Sequence, residues 1–193
     1  VHDDAGLPVA RDAAHLGEIA MRGNMVMKGY YKNPEATAEA FKGGWFRSGD
    51  IAFQHPDGYL KITDRAKDII ISGGENVSSV EVEGALMHHP AVSLCAVVAK
   101  PDDIKGNALV AFVTLKASAR SEMDKNFSTV SEQIKNELKA WVSKEIGPIA
   151  RPDEIRFADA LPKTRSGKIM RRLLREMVTT GQTSGDTSTL EDF

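Results

Sequence analysis

Two almost uninterrupted apolar runs, at residues 92–99 and 108–115, constrain the fold most, because strands without polar alternation must be covered on both faces. Pro101-Asp102-Asp103 and Gly106-Asn107 offer turn chemistry between them, so the strands are expected to end at Ala99 and restart at Ala108. Cover must come from helices, and three are legible. Ser78, with Glu81 three positions on, has the form of a capping box opening a helix to about His88, where Pro90 stops it. From Ser128 to Ile146, the residues Val130, Ile134, Leu138, Trp141 and Val142 recur every three or four positions, and Gly147-Pro148 ends the pattern. Ile169, Leu173 and Met177 line one side of a final helix, and short strands are expected at residues 68–71 and 155–158.

The opening sixty or so residues follow a different pattern, rich in glycine and turns, with short strands expected at residues 17–21, 45–46 and 51–53. Pro56-Asp57-Gly58 makes a tight turn between residues 51–54 and 59–63, which reads as a hairpin. Asn33-Pro34-Glu35 starts a short helix through Phe41. No internal repeat is present.

A net charge of -2 over 193 residues argues against a dedicated nucleic-acid binder. Cys95, the only cysteine, lies within an apolar run and reads as a small buried residue, so no disulfide or metal framework is expected. His88 and His89 are adjacent on a helix, point in different directions and read as helix-end residues. A reducing compartment fits best, and a cytoplasmic location is expected. No stretch reaches the roughly eighteen apolar residues of a membrane span, and Val1-His2-Asp3-Asp4 has no signal-peptide character. The chain opens mid-pattern without an initiator Met, so a fragment of a larger protein is expected.

The chemistry concentrates in three blocks. The last, Leu161-Pro162-Lys163-Thr164-Arg165-Ser166-Gly167-Lys168, opens a basic stretch continued by Arg171, Arg172 and Arg175. Alone it could be a phosphate-handling loop, a nucleic-acid patch or a solvated helix start. Upstream stand Gly44-Trp45-Phe46-Arg47-Ser48-Gly49-Asp50 and Thr63-Asp64-Arg65-Ala66-Lys67-Asp68-Ile69-Ile70-Ile71-Ser72-Gly73-Gly74-Glu75-Asn76, followed by Val80-Glu81-Val82-Glu83. In this order and at these separations the blocks resemble the adenylate-forming superfamily, which includes AMP-forming acyl-CoA synthetases. The resemblance implies an α+β fold, in which a small C-terminal lid domain with a short central sheet and flanking helices follows a β-rich remnant of a large N-terminal domain. Residues 1–66 would be that remnant, 67–180 the mobile lid and 181–193 a flexible tail.

The resemblance also assigns roles. Asp50, a turn carboxylate able to accept two hydrogen bonds, would bind both ribose hydroxyls of the nucleotide, and Arg65 would assist. Lys67 would be the pivot between an adenylate-forming and a thioester-forming conformation. Gly73 would line the pantetheine path of CoA, and Gly74 would shape the turn beside it. Lys168 would be the catalytic cation, stabilising charge on the α-phosphate of ATP. The neighbouring arginines are expected to be solvated or near CoA phosphates. A lysine acetyltransferase and deacetylase acting on Lys168 are further implied partners, and magnesium an implied cofactor with its ligands outside this chain.

The superfamily's phosphate loop, acyl pocket and magnesium-binding acid have no counterpart here. The first hundred residues resemble medium- or long-chain and aryl acyl-CoA synthetases. The remainder, through Glu145-Ile146-Gly147-Pro148 to Gly185-Asp186-Thr187-Ser188-Thr189-Leu190, resembles acetyl- or propionyl-CoA synthetases. That branch usually carries Arg where Ser143 stands, leaving adjacent Lys144 as the expected CoA contact. The alternatives are an adenylation domain that loads a carrier protein, and a non-catalytic basic binding module.

Overall fold

The computed structural model describes residues 1–182, apart from the side chains of residues 125, 127 and 128. Of the expected flexible tail, residues 183–193, which include the block from Gly185 to Leu190, lie outside the described residues. The chain forms two compact units, Val1–Lys67 and a second beginning at Asp68.

The first unit is a three-stranded antiparallel sheet in which β2 (Phe46–Gln54) lies between β1 (Gly17–Met21) and β3 (Leu60–Arg65). Sequence pattern divides residues 45–46 from 51–53, yet β2 is continuous. The intervening residues bulge out of the pairing with β1 between the pairs Glu18–Ile51 and Ala20–Arg47, and Glu18 holds the bulge: Glu18 Oε2 accepts from Arg47 Nη1 at 2.9 Å and Oε1 from the Gly49 N–H at 2.8 Å. The hairpin at Pro56-Asp57-Gly58 forms as expected, with the His55 N–H donating to Tyr59 O at 2.8 Å. Asn33 caps α1 (Pro34–Ala40) by accepting from the Ala36 N–H. Ala52 is the single fully buried apolar side chain in this unit.

The second unit has three layers. Its sheet has β7 (Gly106–Leu115) at the centre, antiparallel to β6 (Val92–Asp102) and parallel to β8 (Glu154–Phe157). On one face Cys95, Val97, Leu109, Ala111 and Val113 meet Val82 and Leu86 of α2 (Ser79–Met87) and Ile134, Leu138 and Val142 of α4 (Phe127–Ile146). On the other face Ala96, Val98, Val110 and Phe112 meet Leu161 together with Leu174 and Val178 of α5 (Arg171–Thr180). Both strand faces are covered, which explains why the runs lack polar alternation. A small hairpin, β4 (Ile70–Ser72) with β5 (Glu75–Val77), precedes α2. The Ser78 Oγ accepts from the Glu81 N–H at 3.2 Å, as the capping pattern implies.

Two expectations are corrected, and one helix lacks an expected counterpart. The central strands do not stop at Ala99 and restart at Ala108. They run on, pairing Pro101 with Asn107 and Asp102 with Gly106. Pro101 is tolerated because β6 is an edge strand. Asp102 Oδ1 closes the tighter turn by accepting from the Ile104 and Lys105 N–H groups, and the Lys105 bond does most to hold its carboxyl below the usual range. The final helix begins at Arg171, so Ile169 precedes it, in a bridge to Lys163. A helix with no expected counterpart, α3 (Ala117–Lys125), contributes the buried Met123.

Candidate functional site

In the first unit, the hairpin turn at residues 56–58 pairs β2 with β3, and a one-residue bulge between Ile51 and Ala52 shifts the register so that Asp50 lies opposite Arg65. Arg65 Nε donates to Asp50 Oδ1 at 3.1 Å, while Asp50 Oδ2 accepts from no donor among the described residues and the Asp50 side chain stays 28 % exposed. Such a carboxylate keeps acceptor capacity for two vicinal hydroxyls. The backbone around the pair is fixed: the Asp50 N–H donates to Ser48 Oγ at 3.1 Å and the Ala66 N–H to Gly49 O at 2.8 Å. Lys67 is exposed in the turn that follows, and the boundary between the two compact units falls at its peptide bond with Asp68.

In the second unit, the loop bearing Lys168 is tightly folded on itself. The Thr164 N–H donates to Lys168 O at 2.8 Å, the Gly167 N–H to Thr164 O at 2.7 Å and the Lys168 N–H to Thr164 Oγ1 at 3.1 Å. Gly167 has φ near +80°, which explains the Ser-Gly pair: a Cβ would be strained there. The Met170 N–H bonds Pro162 O and closes the neck of the loop. The result is a fixed backbone carrying an exposed Lys168 whose ammonium makes no ion pair among the described residues.

The basic stretch is not one cationic field. Three of its arginines have acidic partners, Arg171 and Arg175 half-buried and Arg172 exposed. Arg171 Nη2 contacts Glu83 Oε2 at 2.6 Å, Arg175 Nη1 contacts Asp68 Oδ1 at 2.8 Å, and Arg172 Nη1 contacts Glu176 Oε1 at 2.7 Å. Lys163, Arg165 and Lys168 remain without an acidic partner among the described residues, and all belong to the loop.

Gly73 and Gly74 form the turn between β4 and β5, both at positive φ, +60° and +86°, and a Cβ on either would meet open space. Conformation therefore dictates glycine at both positions. Gly73 borders a cleft of ≈ 340 Å³ lined also by Lys105, Lys139, Arg151 and Asp153. Asp153 organises it: its carboxylate pairs with Lys105 Nζ and accepts from the Leu109 N–H at 2.9 Å, and its carbonyl accepts from Lys139 Nζ. Three cations against one carboxylate leave the cleft positive. Lys144, the expected CoA contact, is exposed on α4 and does not line it. No sequence signal foretold Lys105, Lys139 and Arg151, because they come from a turn, a helix and a post-helical segment, of which the first two are tied together through Asp153.

His89 is buried under α4. Its Nδ1 accepts from the Ala91 N–H, its ring meets Trp141 edge-on and its Nε2 lies 3.5 Å from Glu137. Among the described residues no group of acids, cysteines and histidines is arranged to hold a metal ion, and no helix is long and apolar enough to cross a membrane.

Residues 81–168 match the family model described as the AMP-binding enzyme C-terminal domain. A peroxisomal acetate/butyrate–CoA ligase of Arabidopsis thaliana is 49% identical over 179 residues, covering 91% of this chain and 29% of that protein. An acetate–CoA ligase of Humulus lupulus is 51% identical over 176 residues, 87% of this chain and 28% of the relative. The chain thus spans under a third of the length of these relatives. Among solved structures, the amide bond synthetase McbA of Marinactinospora thermotolerans superposes with TM-score 0.77 at 35% identity, over 93% of this chain and 34% of that one. An anthranilate CoA ligase in complex with anthranoyl-AMP gives TM-score 0.76 at 33% identity, over 93% of this chain and 33% of that one.

Proposed function

The chain belongs, through residues 81–168, to the AMP-binding enzyme C-terminal domain family, and from that premise we propose that it is the C-terminal part of an AMP-forming acyl-CoA synthetase. The observation that carries the reading is the Lys168 loop, in which the backbone is pinned while the ammonium has no ion-pair partner among the described residues. A fixed, uncompensated cation is what the first half-reaction requires. A substrate carboxylate oxygen bonds to the α-phosphorus of ATP, the bond from that phosphorus to the pyrophosphate oxygen breaks, and negative charge grows on the nonbridging oxygens beside Lys168. Asp50, steadied by Arg65, accepts from the ribose hydroxyls.

In the second half-reaction the CoA sulfur, having lost its proton, bonds to the acyl carbon and AMP departs with the bonding electrons. Gly73 and Gly74 would border the pantetheine arm, and Lys105, Lys139 and Arg151 would face the CoA phosphates. Lys67 would be the pivot between the two states. Among the described residues no group is arranged to hold magnesium, so no step is assigned to that ion. Lys168 would also be the substrate of a lysine acetyltransferase and deacetylase, since acetylation removes the charge on which adenylation depends. The lone cysteine suits a reducing compartment, and we place the enzyme in the cytoplasm.

The test uses the full-length protein. Lys168→Ala is expected to lower carboxylate-dependent exchange of pyrophosphate into ATP by roughly a hundred- to a thousandfold, the loss typical of one transition-state donor. Thioester formation from preformed acyl-adenylate and CoA should persist. Gly73→Leu should show the opposite split. Normal exchange by Lys168→Ala would remove that lysine from the mechanism.

A further inference from the structure

Two of the arginines that follow Lys168 are committed to carboxylates far away in sequence. Arg171 and Arg175 stand one turn apart on α5, so their side chains leave the helix on one side. Arg171 reaches Glu83 on α2 with two nitrogens, Nη2 to Oε2 at 2.6 Å and Nε to Oε1 at 3.3 Å. Glu83 Oε1 also accepts from the Val97 N–H at 2.8 Å, so the carboxylate joins α2, the edge strand β6 and α5. Arg175 meets Asp68, the first residue of the second unit, whose side chain is only 9 % exposed. Charge-assisted bonds to carboxylates this sheltered are directional and little screened by salt.

Burial of Leu174 and Val178 fixes which face of α5 meets the sheet, but apolar contact alone permits sliding along the axis and small rotations. The ion pairs remove that freedom. Only Ile169 and Met170 separate Lys168 from Arg171, and the Met170 N–H is bonded to Pro162 O at the neck of the loop. Any displacement of the first turn of α5 therefore shifts the base on which the Lys168 side chain stands.

We propose that Asp68 and Glu83 are positioning residues for Lys168, acting through Arg175 and Arg171 to hold α5 and the adjoining loop in the geometry that adenylation needs. The proposal rests on the reading of Lys168 given above. It also makes Asp68, the residue after Lys67, part of the same rigid piece as the lysine, so that a turn of the backbone at Lys67 carries the Lys168 loop with it.

A merely structural pair would weaken both half-reactions alike, through loss of folded protein. A positioning pair acts only where Lys168 acts. In the full-length protein, Asp68→Asn and Glu83→Gln are each expected to lower kcat for pyrophosphate exchange roughly tenfold, well within what a small misplacement costs. The KM for ATP, and the rate of thioester formation from preformed acyl-adenylate, should stay within about twofold of wild type if only Lys168 is displaced. Combined with Lys168→Ala, neither substitution should cost anything more, because residues that act as one unit are not additive. Arg175→Lys, which keeps one charged contact to Asp68, should retain most of the wild-type kcat.

Equal losses in both half-reactions, or a further tenfold loss on top of Lys168→Ala, would overturn the proposal. So would failure of both carboxylate variants to fold, which would make the pairs folding staples. If Lys168→Ala itself exchanges pyrophosphate normally, the reading of Lys168 fails; if it is impaired while Asp68→Asn and Glu83→Gln are not, the positioning role alone fails.

Discussion

Cys95 lies where the sequence placed it, under apolar cover, and its chemistry follows from that burial. Loss of solvent pushes the thiol up to about 12, the carboxylate of Glu83 adds to the shift, and Arg171 opposes it. A raised thiol pKa means the reactive thiolate is scarce at neutral and mildly alkaline pH. Native protein at pH 8 should therefore resist alkylation by iodoacetamide and react once unfolded by urea, as mass spectrometry of the modified peptide would report. Rapid native alkylation would contradict the buried position. Legibility at this scale depended on distance along the chain. Asp50 and Arg65 could be anticipated as partners in one function, but the one-residue bulge between Ile51 and Ala52 that sets them opposite each other left no mark in the sequence. Arg171 and Arg175 could not be placed, because their carboxylates stand about a hundred positions upstream and a basic run reads the same whether or not it is paired.

Among the elements, α5 shows how one helix serves both packing and chemistry. Its apolar side supplies Leu174 and Val178 to the second face of the sheet, and its flank carries the two arginines committed to Glu83 and Asp68. Truncating a buried leucine leaves a cavity as well as losing transfer free energy, so Leu174→Ala should destabilise the second unit by about 2–5 kcal/mol. Urea denaturation followed by circular dichroism would measure it, and a loss below about 1 kcal/mol would mean the site is not packed as described. The strands and α4 were legible because covering both faces, or one stripe, leaves a periodic mark. α3 was not, since Met123 is its one described fully buried side chain and its sequence, Ala-Ser-Ala-Arg-Ser-Glu-Met-Asp-Lys, carries no stripe. The extension of β6 through Pro101 was hidden for another reason. Proline forbids only a central ladder position, and an edge position cannot be told from a central one before the sheet is assembled.

On the scale of the whole molecule, the two units differ in how they are stabilised. The second encloses its sheet between helices on both faces, whereas the first holds its strands with backbone ladders and the ion pair of Glu18 with Arg47, around Ala52 as the lone buried apolar side chain. A segment from Asp68 to Gln182, expressed alone, should therefore fold cooperatively, and residues 1–67 alone should not. Dispersed amide proton resonances from the first segment and collapsed ones from the second would be the expected spectra. That contrast in burial has a calorimetric consequence. Heat capacity rises on unfolding in proportion to the apolar surface newly wetted, at about 12–15 cal/mol/K per residue in ordinary domains. The 193-residue chain should melt with an increment nearer that of about 115 residues, close to 1.5 kcal/mol/K, because the first unit has almost no dry interior to hydrate.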